Sequence, residues 1–158
     1  MTSAYLHLLM AHVPVVGTLF GAGLLIVAIL RKSDEQKRTA LALICLASLL
    51  ALPTYLSGQP AAMLLKRFMP GMPPDAGDQH AEVAILALGA SLFLGAVALT
   101  GLLVFRKDKK LPAGYLVLLL FLALIGGGLL AWTANLGAKI RHAEIRRTAS
   151  VSVTQMPV

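Results

Sequence analysis

Long uncharged apolar stretches alternate with short charged ones along the chain. Four such stretches, Ala4 to Leu30, Thr39 to Leu65, Val83 to Phe105 and Leu111 to Ala138, each exceed the ~20 residues that a helix needs to cross ~30 Å of hydrocarbon. The pattern therefore predicts an all-α, integral membrane four-helix bundle. The second helix is expected to stop near Leu56, because Ser57, Gly58 and Pro60 form a cluster of helix breakers, and the fourth to begin after Pro112 and Gly114. The expected helices cover about 4–30, 39–56, 80–105 and 114–142 within a transmembrane domain of residues 1–147. Residues 58–79 are then an extracytoplasmic loop, in which Ala61 to Phe68 forms a short interfacial helix ahead of a rigid Met-Pro-Gly segment. Residues 148–158 lack helix periodicity and charge, and are expected to be flexible unless a partner binds them.

The short connections Arg31–Arg38 and Arg106–Lys110 make sequence neighbours antiparallel. Each holds four Lys or Arg, as Arg31, Lys32, Lys37 and Arg38, and as Arg106, Lys107, Lys109 and Lys110, whereas the N-terminus holds none and 58–79 only Lys66 and Arg67. The positive-inside rule then places both termini on the extracytoplasmic side. Lys139, Arg141, Arg146 and Arg147 run against this, but an even number of spans ties the C-terminus to the side of the N-terminus. Gly17 and Gly21, then Gly89, Gly95 and Gly101, then Gly126 to Gly128, mark places where helix backbones or a flat ligand approach closely, with helix packing the simpler reading. Pro14 and Pro53 each free a backbone carbonyl inside a span.

Composition agrees with a membrane protein. Of 158 residues, 58% are hydrophobic and 13% charged, about half the charged share of a soluble domain, and the mean hydropathy is +0.80. The net charge of +7 sits at the ends of apolar runs rather than along a phosphate-tracking stripe, so a nucleic-acid partner is not expected. The lone Cys45 excludes an internal disulfide, there is no C-x-x-C motif, and no cleavable signal is expected. Ser-His-Asp, H-E-x-x-H, P-loop and dinucleotide fingerprints are also missing, so the chain alone is not expected to be catalytic. With no Asp, Glu, Lys or Arg within the spans, a transport path is not expected either.

The histidines carry the candidate chemistry. His7 and His12 open the first span, His80 opens the third and His142 closes the fourth, so all four lie at one end of the bundle. Taken singly, each is explained as an interfacial residue that bonds to headgroups or a neighbouring helix. Four at one end, on three helices, point instead to a shared site. His7 and His12 are five residues apart, ~140° around and ~7.5 Å along a helix, so they serve different partners or two separate planar cofactors rather than one small ion. Two neutral imidazoles from different helices complete a low-spin haem iron. His12, nearer the hydrocarbon than His7, is expected to be the most consequential ligand. Glu82 suits the first turn of the third helix, with Asp78 or Gln79 as cap, whereas Glu144 opposes the dipole of the fourth and pairs with Arg141 or Arg147, or with a partner.

The segment His7-Leu-Leu-Met-Ala-His12-Val-Pro14, together with Ser57-Gly-Gln-Pro-Ala61, Gln79-His-Ala-Glu82 and Leu136-Gly-Ala-Lys-Ile-Arg-His-Ala-Glu-Ile145, resembles a bacterial family of small four-helix membrane proteins grouped with the two-haem b-type cytochromes. The likeness runs from about Tyr5 to Ile145. It implies haem ligation at His7, His12, His80 and His142, with one or two haems b. It departs from the usual two-haem pattern in that no histidine lies in the inner half of the bundle.

The expected function is thus a membrane-embedded b-type cytochrome subunit in the bacterial inner membrane. It carries electrons between a quinone or quinol and an extracytoplasmic redox partner within a larger complex. Trp132, Tyr55 or Tyr5 would wall a quinone site, although each is also explained as an interfacial or packing aromatic. Competing readings are a non-redox membrane anchor or scaffold that holds other subunits through 58–79 and the basic tail, and a His/carboxylate metal-binding membrane protein, for copper, zinc or iron.

Overall fold

The computed structural model describes residues 3–68, 74–106 and 109–141. They form α1 (Ser3–Leu30), α2 (Asp34–Phe68), α3 (Pro74–Val104) and α4 (Ala113–Arg141), each containing a stretch long and apolar enough to cross a membrane. The helices form a ring in which α1 touches α2 and α4, and α3 touches α2 and α4, with no backbone contact across either diagonal. Four membrane-length helices in an antiparallel ring are the architecture of a multi-pass membrane protein. One end of the ring holds the two short basic connections. The other, the histidine end, holds the starts of α1 and α3 and the far ends of α2 and α4.

Local chemistry accounts for the sharp turn between α1 and α2. Lys32 adopts a left-handed conformation with φ 54°, Ser33 N–H donates to the Ala28 carbonyl (3.0 Å) and Lys32 N–H to the Ile29 carbonyl (3.1 Å), closing α1 in a Schellman motif. Ser33 then caps α2, its hydroxyl accepting from Gln36 N–H at 3.3 Å, while Asp34 and Glu35 complement the helix dipole.

The expected end of α2 near Leu56 is corrected: the helix continues to Phe68 through Ser57, Gly58 and Pro60. No glycine among the described residues has a positive φ, and Gly58 lies against α1, so contact with a neighbouring helix overrides the breaker signal. At ~1.5 Å per residue, a helix of 35 residues is longer than the hydrocarbon is thick. α3 likewise starts earlier than expected, with Pro74 at its first position, which moves His80 and Glu82 beyond the first turn. Asp78 and Gln79 are therefore helical residues and not caps. The glycines Gly126 to Gly128 leave α4 uninterrupted.

The core differs between the two ends. Toward the basic loops it is made of large side chains, with Leu25, Leu41, Ile44, Leu94 and Leu119 fully buried. Tyr115 closes this end, its hydroxyl donating to the Val97 carbonyl and its ring meeting Phe105 edge-on at 5.3 Å. Between the ends α1 seats closely on α2: a Cβ on Gly21 would lie 2.6 Å from Ile44 Cγ1, and one on Gly17 2.7 Å from Ala47 Cβ. Toward the histidines the facing residues shrink to Ala51 and Ala87, and the helices no longer fill the space between them.

Candidate functional site: an imidazole pair in a cavity at one end of the bundle

The unfilled space is a cavity of about 70 Å³, walled by Ala11, Pro14, Ala51, Ala84, Ala87 and Ala134 among others and carrying His7 and His80. The two histidines come from α1 and α3, which face each other across the ring. Both are partly buried.

Each ring is fixed in the same way. His7 Nδ1–H donates to the Thr54 carbonyl at 3.0 Å, and His80 Nδ1–H to the Thr133 carbonyl at 3.1 Å. A carbonyl oxygen only accepts, so the proton sits on Nδ1 in both rings and the Nε2 lone pair is left for another partner. Ser57 Oγ, 3.1 Å from His7 Nδ1, donates to the same Thr54 carbonyl at 2.8 Å. One turn beyond each threonine a glycine receives the ring: a Cβ on Gly58 would lie 3.4 Å from His7 Cε1, and one on Gly137 3.3 Å from His80 Cε1. A larger side chain at either glycine would push the imidazole away from the carbonyl that orients it.

The threonines are themselves held. Thr54 Oγ1–H has the Leu50 carbonyl at 2.8 Å and the Met10 carbonyl at 3.2 Å; Thr133 Oγ1–H donates to the Leu129 carbonyl at 2.8 Å. Met10 is four residues before Pro14, whose nitrogen bears no hydrogen, so its carbonyl is the one that the proline frees. α2 thus brings within reach of that carbonyl a hydroxyl whose one proton it shares with Leu50. At the corresponding place in α3 stands Ala87, which leaves no carbonyl orphaned.

The two halves of the site therefore repeat one device, a histidine on one helix and a Thr-x-x-x-Gly on the next. The same eleven residues separate His7 from Thr18 and His80 from Ser91, and Leu-Phe follows in both helices. In the sequence Ser57 and Gly58 read as helix breakers, and they and Gly137 as parts of the resembling segments, while Thr54 and Thr133 carry no expectation there. The repeated Thr-x-x-x-Gly in the second and fourth spans was the available signal.

The other candidates lie elsewhere. His12 is exposed, its Nδ1–H donating to the Leu8 carbonyl of its own helix at 3.0 Å, and it does not line the cavity. The separation of ~140° expected from the spacing places it on a different face from His7. His142 and Glu144 fall outside the described residues, as do the Met-Pro-Gly segment and residues 148–158. Among the proposed aromatic walls Tyr55 lines the cavity, while Tyr5 and Trp132 are exposed. Among the described residues no group of three or more His, Cys, Asp or Glu is placed to hold a metal ion.

No family model, curated protein or solved structure matches the chain.

Proposed function

We propose that the chain is a membrane-embedded b-type cytochrome subunit, in which His7 and His80 hold one haem b and electrons pass between a quinone or quinol and an extracytoplasmic redox partner. The observation that supports this reading is the pair of imidazoles on opposite helices that line one cavity, each with Nδ1–H bound to a carbonyl and Nε2 left without a proton. A metal-bound imidazole characteristically donates its other N–H to a carbonyl or carboxylate, which fixes its tautomer and raises its basicity. Two neutral imidazoles are donors that haem iron accepts, so His7 and His80 would be the residues that hold it, and the haem would supply one-electron exchange there. The volume fits less well. At about 70 Å³ the cavity is smaller than the roughly 300 Å³ at which cofactor pockets begin, so binding requires the helix ends to part.

The residues of the chain then have separable tasks. Thr54 and Thr133 orient the rings through their carbonyls, Gly58 and Gly137 leave room for them, and the alanine walls allow helix separation at low cost in lost packing. The quinone, the redox partner, the surrounding complex and the extracytoplasmic placement of the site belong to the proposal.

The test is an absorption spectrum of the full chain purified after expression with haem available, oxidised and dithionite-reduced. The expected result is a low-spin b-type spectrum that His7→Ala and His80→Ala each abolish or convert to five-coordinate, and that His12→Ala leaves in place. If the wild type binds no haem under conditions in which it remains folded, the electron-transfer reading fails and a non-redox anchor takes its place.

A further inference from the structure

Below the imidazole cavity lies a layer of hydroxyls with a different property. Thr18 of α1, Ser48 of α2 and Ser91 of α3 are buried to within 1% of complete, and among the described residues their oxygens have no hydrogen-bond partner. A hydroxyl in a helix has a ready partner in the carbonyl four residues earlier. Thr39, Thr54, Thr100 and Thr133 all use it, at 2.8–3.1 Å. Thr18, Ser48 and Ser91 do not.

Their position is common to all three. Pro14, Ala51, Ala87 and Leu130 line the cavity, and Thr18, Ser48 and Ser91 lie one helical turn deeper on the same helices. At that depth α4 presents Gly127, where a Cβ would meet Thr18 Cγ2 at 3.8 Å, and one turn further along α3 Gly95 lies against Ser48, where a Cβ would meet Oγ at 3.2 Å. At this level three helices thus carry a buried hydroxyl and the fourth a glycine. Deeper still come Leu25, Leu41, Ile44, Leu94 and Leu119, all apolar and fully buried.

We propose that Thr18, Ser48 and Ser91 bind water and form the hydrated floor of the cavity. Buried water characteristically pairs with polar groups that the protein leaves unsatisfied, and three such hydroxyls lie one turn below a cavity. The apolar plug beneath ends the path at mid-bundle. Water, and any proton exchanged at the Nε2 atoms of His7 and His80, then enters and leaves by the histidine end alone. The proposal does not rest on haem and holds whatever the imidazoles bind.

Water-edited solid-state NMR of the full chain in lipid bilayers, with and without added haem, tests it. Magnetisation from water is expected to reach Thr18, Ser48 and Ser91 faster than Leu25 and Leu94, by about threefold or more, in both preparations. Thr18→Val and Ser91→Ala, close in shape but lacking the hydroxyl, are each expected to lower the melting temperature by about 2–4 °C, the size of one lost interaction in a protein of this length. An apolar replacement of a hydroxyl that has no partner would raise it instead. Transfer to the three hydroxyl residues no faster than to the leucines, or a melting temperature that rises in these variants, overturns the proposal.

Discussion

The position of His7 depends on a chain of single groups. Pro14 frees the Met10 carbonyl, Thr54 lies within bonding distance of it, and the Thr54 carbonyl in turn receives His7. This gives a pairwise expectation. Thr54→Val in the wild-type background leaves Met10 unpartnered within the membrane and is expected to cost about 1 kcal/mol, within the range measured for interhelical hydrogen bonds in membranes. In a Pro14→Ala background the restored N–H satisfies Met10 from within α1, and the same substitution is expected to cost less than about half as much. A double-mutant cycle measured by reversible unfolding in mixed micelles checks it; equal costs in the two backgrounds would show that the proline and the threonine are not coupled. Thr133 has no such second role.

At the scale of elements, α1 and α2 are joined by their turn and by glycine contacts. Lys32 occupies a left-handed position that glycine adopts without steric cost. Lys32→Gly is thus expected to stabilise the hairpin by about 1 kcal/mol, read as a higher unfolding midpoint, and an unchanged or lower midpoint would count against the Schellman turn. The contact at Gly21 is less tolerant. Its added Cβ would lie 2.6 Å from Ile44 Cγ1 and 3.4 Å from the Ile44 backbone nitrogen, so Gly21→Ala is expected to cost about 1–3 kcal/mol through overpacking. Ile44→Ala should recover part of that loss, whereas Gly23→Ala, which meets open space, should be close to neutral or stabilising. A Gly21→Ala protein as stable as wild type would mean that α1 and α2 slide apart freely.

For the whole molecule, orientation follows from charge rather than packing. With eight positive residues in the two short connections, a reporter fused at Asp34 or Asp108 is expected to read cytoplasmic, and one at Gly71 or Val158 extracytoplasmic. The opposite result would turn the imidazole cavity toward the cytoplasm and remove the proposed extracytoplasmic redox partner. The site itself is a property of the ring. α1 and α3 do not touch across it, and no single hairpin contains both imidazoles.

The sequence by itself determined the number of spans, their antiparallel order and the gathering of His7, His12 and His80 at one end, because length, loop brevity and even parity constrain these whatever the side chains do. It also determined that Gly17 and Gly21 would be packing residues. The tertiary structure decided which histidines share a cavity, and that α2 runs on past Gly58. The reason is physical: a helix in a bilayer is apolar toward its neighbours and toward lipid alike, so its sequence barely marks which face turns inward. Depth is all that separates His7 from His12 in such a run, and it favours His12. Only the Thr54 carbonyl and the gap at Gly58, brought alongside by α2, distinguish the imidazole that is held in the cavity from the one left bonding to its own helix.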